Sequence, residues 1–336
     1  MEKIKELLKK LCFMPTVSGR ELDNKDALFA LVGDTFDQMY ADAFGNLVFV
    51  LKSKKENAPK LMIDAHFDTV GFMVKKVHED GFLSICEIGG VDTRVLGASR
   101  ARVYGSEVVS GVFTSTPPHL LKDDKSLPRV KDVYVDCSSD ASKVRVGDIV
   151  CYEPHFTELC ANQVSSCGLD DKACVCAMLD MAFNADKERL AYDVYLVISA
   201  QEETGKGGAR FIAYNEKPDI AIVTDVFFAR GEDIEKCDSA GVGEGVYIDM
   251  SSAANIRLTR SIVKMLEQKG AKHQVVCEPS RTHTNNEIVS ITGAGVKTAL
   301  CGIALDGMHT PSEIVSLEDI RSLSSLLLDV AYGEVK

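Results

Sequence analysis

The sequence predicts an α/β protein: a mixed sheet flanked by helices, with a small all-β barrel or sandwich inserted into it. Three observations predict it. Apolar strand signals alternate with helical periodicity at both ends of the chain. Between residues 71 and 165 the long helical repeats vanish, and short β-branched segments punctuated by Gly, Pro and Asp replace them. The length of 336 residues exceeds what one core usually holds. The domain reading is therefore a discontinuous α/β unit, 1–70 with 166–336, carrying the 71–165 insertion.

At the start, Ile4, Leu7, Leu8 and Leu11 recur at helical spacing with charges between them, which marks an amphipathic helix. Ser18-Gly19-Arg20-Glu21 reads as a helix start leading into a second helix through about Leu31. Phe44-Gly45-Asn46 is a turn before the strand Leu47-Val48-Phe49-Val50-Leu51, and a further strand, 61–65, ends on His66. Within the insertion the strand candidates include 102–104, 108–109, 132–135 and 148–151. It also holds the turn Thr116-Pro117-Pro118-His119, which could bring a histidine near a site, and the charged loop Lys122-Asp123-Asp124-Lys125. Beyond Ser165 the reading is a helix over 173–185, strands over 194–199 and 219–224, and a helix over 253–268. Short strands near 274–276 and 298–300 precede a closing helix over 317–332.

Composition narrows the function. Hydrophobic residues at 46% and charged residues at 26% suit a folded globular protein. A formal charge of -12 excludes a nucleic-acid partner, since no basic stripe exists to displace counterions. No apolar run has the length of a signal-peptide core or a membrane span, so no membrane partner is expected and the cytoplasm is the expected compartment. Eleven cysteines, scattered and not set as paired knuckles, read as reduced, buried thiols.

Five places carry metal-binding side chains at or after strand signals: His66-x-Asp68, Asp170-Asp171, Glu202-Glu203, Asp225 and His309. Open α/β sheets gather such residues at the carboxyl ends of their strands. Taken singly each is bland, because a lone histidine or a carboxylate pair is more often structural. The set is not. Zinc takes imidazole and carboxylate ligands and leaves a position for water, and cobalt or manganese accepts the same donors. Two such ions call for a carboxylate between them, and a further carboxylate outside the ligand set can serve as general base. No GxSxG elbow or HExxH motif offers another scheme, and Cys167 has no positioned histidine.

At these residues the chain resembles the M42 family of metallo-aminopeptidases, the glutamyl and tetrahedral (TET) aminopeptidases. The matching segments are Ser18-Gly19-x-Glu21, Asp42-x-x-Gly45-Asn46-Leu47, Ala65-His66-x-Asp68-x-Val70-Gly71 and Leu169-Asp170-Asp171-Lys172. Gln201-Glu202-Glu203-x-Gly205-x-x-Gly208-Ala209, Asp225 and Met308-His309-Thr310-Pro311-x-Glu313 complete the order. The resemblance implies a zinc-peptidase-like catalytic domain that removes N-terminal residues from short peptides. It implies two divalent ions, one on His66 and Asp225, the other on Glu203 and His309, with Asp170 bridging them. Glu202 would take the proton of a water between the ions, and Asp68 would orient His66. A cis peptide beside Asp171, an insertion that serves for dimerisation, and a homo-oligomer growing from dimers to a dodecamer are implied as well.

The chain departs from the family pattern at Thr69, at Asn285, at Asp306-Gly307 and in the 241–245 turn. None of these removes a ligand. Two other readings use the same residues: an amidohydrolase acting on N-acyl amino acids, and a metal-stabilised scaffold that has lost turnover. Glycoside hydrolysis fits poorly, because it normally needs two carboxylates and no metal.

Overall fold

In the computed structural model, which describes residues 1–115, 128–231 and 238–335, the amphipathic start is helix α1 (Glu2–Cys12). Ile4, Leu7, Leu8 and Leu11 are buried along it, as residues three and four apart share one face. The second helix, α2 (Lys25–Val32), begins later than expected, because Glu21–Asn24 first form a 3-10 turn. The hairpin β1 (Gln38–Ala41) and β2 (Leu47–Leu51) follows. Its turn is set by Asp42 Oδ1, which accepts from the amides of Phe44, Gly45 and Asn46 at 2.9–3.0 Å. Strand β3 (Lys60–His66) includes His66 as its last residue.

Six strands come next: β4 (Gly71–Val77), β5 (Phe82–Ile88), β6 (Arg100–Tyr104), β7 (Val108–Phe113), β8 (Tyr134–Asp136) and β9 (Ile149–Tyr152). Among the described residues they close a barrel in the order β4-β5-β8-β7-β6-β9. Phe72, Leu83, Val103, Phe113, Val135 and Tyr152 fill it, supplied by the period-two alternation of its strands. The Thr116–His119 turn and the 122–125 loop lie outside the described residues. After the barrel, β10 (Thr157–Glu158) and β11 (Gln163–Ser166) run back towards the α/β part of the chain.

The remaining elements alternate. They are α3 (Leu169–Asn184), β12 (Asp193–Ser199), α4 (Glu202–Gly205), α5 (Gly207–Glu216), β13 (Ile220–Phe228) and β14 (Val246–Asp249). Then come α6 (Ile256–Lys269), β15 (His273–Val276), α7 (Asn286–Ser290), β16 (Lys297–Leu305), β17 (Glu313–Ser316) and α8 (Leu317–Ala331). Among the described residues, eight strands form one mixed sheet in the order β1-β2-β12-β3-β13-β16-β14-β15. Its central strands β12, β3, β13 and β16 are parallel, so their carboxyl ends share one edge. One core layer holds Leu8, Leu11, Met178, Leu323 and Leu327 from α1, α3 and α8; the other holds Ile212, Ala213 and Val289 from α5 and α7. A small sheet joins β10, β11 and β17. Among the described residues no helix is long and apolar enough to cross a membrane.

Several strands run longer than expected, among them β7 and β16, and the extension of β13 bears on the site. Strand β13 does not stop at Thr224: Val226, Phe227 and Phe228 go on pairing with Ile303, Ala304 and Leu305 of β16. Asp225 is therefore a residue within a strand, opposite Gly302. A Cβ at Gly302 would collide with the Asp225 carbonyl oxygen and lie 2.9 Å from the Tyr247 ring. That carbonyl accepts a hydrogen bond from Tyr247 Oη at 3.1 Å, so the missing side chain is space the structure uses. Gly302→Ala is expected to cost about 1–3 kcal/mol of stability, as overpacking of a filled core does. Urea unfolding of the variant against the parent chain measures it.

Candidate metal centre

The shared edge of the parallel strands brings the expected side chains to one place. His66, at the end of β3, has Nε2 3.1 Å from Asp170 Oδ1 and 3.8 Å from Asp225 Oδ1. His309 Nε2 lies 3.4 Å from Asp170 Oδ2 and 3.4 Å from Glu203 Oε1. Asp170 thus turns one oxygen to each imidazole. Two ligands at about 2.1 Å from a tetrahedral ion stand about 3.4 Å apart, so these separations suit donors that share cations. By mutual distance, donor atoms of His66, Asp170 and Glu203 fall within 4.8 Å of one another, as do those of His66, Asp171 and Asp225. That grouping cuts across the division implied by family resemblance. The imidazole contacts are shorter, and they put Asp170 in the middle.

The charge balance also fits cations. Asp170, Asp171, Glu202, Glu203 and Asp225 crowd around two imidazoles. Burial, ahead of any neighbouring charge, pushes Asp225 and Asp171 well above the usual carboxylate range and raises Glu203 as well. For His309, burial pulls downwards, but hydrogen bonds to Asp170 and Glu203 outweigh it and hold the imidazole at about 11. Among the described residues Glu202 Oε1 has no hydrogen-bond partner, and the Asp171 carboxylate, close to His66 and Asp225, has at most the Cys174 thiol as a donor. Buried carboxylates left so are costly unless a cation meets them. The peptide between Asp170 and Asp171 is cis.

The turn that presents Glu202 and Glu203 is held by residues from the first part of the chain. Ala200 N donates to Asn46 Oδ1 at 2.9 Å, and Gln201 N donates to Glu21 Oε1 at 2.9 Å. Glu202 N and Glu203 N donate to Asp68 Oδ1 and Oδ2 at 2.9 and 3.1 Å. Four successive amides therefore end on side chains, which is how Gln201 can sit at a left-handed φ of 58°. Asp68 meets both His66 and this turn. Its backbone carbonyl, 2.9 Å from His66 Nδ1, orients the imidazole, while its carboxylate stands 3.6 Å from that nitrogen and serves the two amides.

Glu313 is a residue whose part the sequence did not disclose. Its Oε2 accepts from Leu169 N at 2.6 Å and Asp170 N at 3.3 Å, and its Oε1 accepts from His309 N at 2.9 Å. One carboxylate thereby ties the Asp170 turn to the His309 loop. Its signal was position, a glutamate four residues after His309. Two of the departures from the family pattern, at Asn285 and at Asp306-Gly307, have structural parts in this chain. Asn285 Nδ2 donates to Asp64 Oδ2 and to Ser199 Oγ, both at 2.9 Å, and so anchors the loop before α7 beneath the sheet edge. Asp306 pairs with Ile314, and Gly307, at φ 70°, makes the bend that returns His309 to the site. His78, His155 and His273 are not brought to the donor set; His78 Nε2 is 2.8 Å from Ser84 Oγ and His273 Nδ1 is 2.9 Å from Ala271 O. Burial pushes the Cys167 thiol up, away from thiolate chemistry.

Known proteins share this arrangement of sequence and fold. Residues 45–326 match the sequence model of the family described as M42 glutamyl aminopeptidase. A lysyl aminopeptidase of Pyrococcus furiosus is 30% identical over 332 residues, covering 96% of this chain and 94% of that protein. The solved structure of an aminopeptidase from the archaeon Desulfurococcus kamchatkensis superposes with a TM-score of 0.90 at 28% identity, covering 99% of this chain and 95% of that one. The TET1 peptidase of Pyrococcus horikoshii, which can assemble into a tetrahedron or a large octahedral shell, matches with a TM-score of 0.84 at 27% identity, covering 98% of this chain and 99% of that one. Membership implies use of divalent metal, for which the His66–Asp170–Glu203 cluster, with His309 beside it, has suitable donors. With its sheet, its barrel and most of its length matched, this chain belongs to the M42 glutamyl aminopeptidase family and is a peptidase.

Proposed function

We propose that the chain is a metal-dependent aminopeptidase that removes N-terminal residues from short peptides, with Glu202 as general base. The observation that carries this is the state of Glu202. It borders the donor set and the open cavity beside it, and its Oε1 accepts no hydrogen bond among the described residues. Lys206 Nζ is 3.3 Å from that oxygen without hydrogen-bond alignment. Burial, foremost, pushes the carboxyl up to about 7, where a group both takes and returns protons near neutrality.

Two divalent ions, one on His66 and Asp225 and one on Glu203 and His309, with Asp170 between, would acidify a water and polarise the scissile carbonyl. Zinc suits these donors best, and cobalt or manganese fits them also. The rest falls to the chain. Glu202 removes a proton from the attacking water and delivers it to the amine that leaves as the peptide bond breaks. Asp68 keeps Glu202 and Glu203 at fixed separation through their amides. Further carboxylates at the site suit the free amino group of the substrate.

We read the inserted unit as the dimerisation domain of a homo-oligomer; the assembling TET1 relative supports this. We place the protein in the cytoplasm, a reading supported by described cysteines that are all free thiols.

Glu202→Gln should lower kcat on aminoacyl substrates by about 10²–10⁴-fold, the usual share of a general base, with metal content unchanged. Full turnover by that variant with normal metal would sink the assignment. Asp68→Asn turns an acceptor of two amides into a partial donor, and should weaken metal binding by about 10–100-fold. Competition against a chelator dye reads that loss directly. Dialysis against a chelator should abolish turnover of aminoacyl amides, and zinc, cobalt or manganese should restore it. Hydrolysis of N-acyl amino acids in place of aminoacyl amides would instead mark an amidohydrolase. Metal binding with no turnover on either panel would mark a scaffold.

A further inference from the structure

On its open side the donor set faces a cavity of about 220 Å³. Part of its wall is the donor set itself and Glu202. The rest is one apolar side, with Val226, Phe227 and Phe228 from the end of β13 and Met308 beside His309, and one polar side, Glu278, Thr282, His283 and Thr284. Beyond the donors and Glu202, the ionisable side chains of this wall are Glu278 and His283. Both lie on the loop between β15 and α7. That loop is pinned at each end: Glu278 N donates to Asp249 Oδ1 at 3.2 Å, and Asn285 is held by Asp64 and Ser199.

Glu278 is half-buried, and no hydrogen bond or ion pair engages its carboxylate among the described residues. Burial, then Asp249, Glu287 and Asp238, push that carboxyl up to about 7. Its surroundings in the chain are thus acidic, and it lacks a cationic partner where the cavity reaches it.

Resting on the aminopeptidase reading above, we infer that Glu278 selects substrates whose N-terminal residue is lysine or arginine. Such a side chain has a methylene stem and a cationic head. The stem matches the apolar wall of Phe228 and Met308, and the head matches the free carboxylate. A leucyl side chain would cover the same wall but leave Glu278 more deeply buried and without a partner, which is costly. A glutamyl side chain would meet Glu278 with Asp249, Glu287 and Asp238 close behind it. Preference therefore comes from attraction and from exclusion together.

The test is kcat/KM on lysyl, arginyl, leucyl and glutamyl p-nitroanilides, using the metal-loaded full chain and its Glu278→Gln and Glu278→Arg variants. The parent chain should favour the lysyl and arginyl substrates. Glu278→Gln should cut their advantage over leucyl by about ten- to a hundredfold, chiefly through KM, as loss of a hydrogen bond to a charged group does. Glu278→Arg should move the preference to the glutamyl substrate. A leucyl or glutamyl substrate that equals lysyl in the parent chain overturns this preference and leaves the aminopeptidase reading standing. An equal loss on all four in Glu278→Gln also overturns it, because it marks a carboxylate that holds the amine common to them. No turnover of any of the four overturns the aminopeptidase reading, and the preference falls with it.

Discussion

Four backbone amides in a row, 200 to 203, have no strand or helix to receive them. The chain leaves β12 at Ser199 and must turn sharply to aim Glu202 and Glu203 at the sheet edge. Amides buried there without acceptors would make the turn untenable. Asn46, Glu21 and Asp68 supply the acceptors, each from a different early segment. Hydrogen bonds of N–H groups to carboxylates are worth about 1.5–3 kcal/mol each, more than a neutral pair gives. Three segments between residues 21 and 68 therefore act together as a mould for one later turn. The hairpin places Asn46, the 3-10 segment places Glu21, and β3 delivers His66 and Asp68 together.

A similar economy governs the other half of the centre. Asp170 has to stay still between two imidazoles, in a place where its neighbours are mostly acids. Glu313 secures it by holding its amide and the amide of His309 with the two oxygens of one carboxylate. The position of His309 relative to Asp170 is then a matter of one side chain, not of two independent loops. Gly302 and Tyr247 do the equivalent for Asp225, by packing and by one hydrogen bond to its carbonyl.

What could be read in the sequence follows from these facts. The candidate donors were legible because metal chemistry restricts residue type and a parallel sheet gathers strand ends. His66, Asp170, Glu203 and His309 stand where the apolar runs break. Asp225 was legible as a residue but not as a place. A charge ending an apolar run reads as a strand end, whereas pairing with Ile303–Leu305 carries the strand on to Phe228. For Asp68, the HxD spacing shows nearness to the imidazole. Which of its atoms turns there is decided by amides 134 and 135 residues further on. Glu313 meets Leu169 across 144 residues, a contact that no local pattern encodes. Glu21 likewise meets Gln201 across 180 residues while opening the 3-10 turn that delays helix α2.

The barrel is grafted at an unusual point. The chain leaves for it directly after His66 and Asp68, through Thr69 and Val70, and returns along β11 to Leu169 and Asp170. On the way back β11 pairs with β17, so that Ser166 lies opposite Glu313. Both stems of the inserted unit are thus continuous with the donor set. The unit therefore cannot be excised, shortened at its base or exchanged as a free module without disturbing the donor set. Any change in how it is attached is also a change in the spacing of His66 and Asp170.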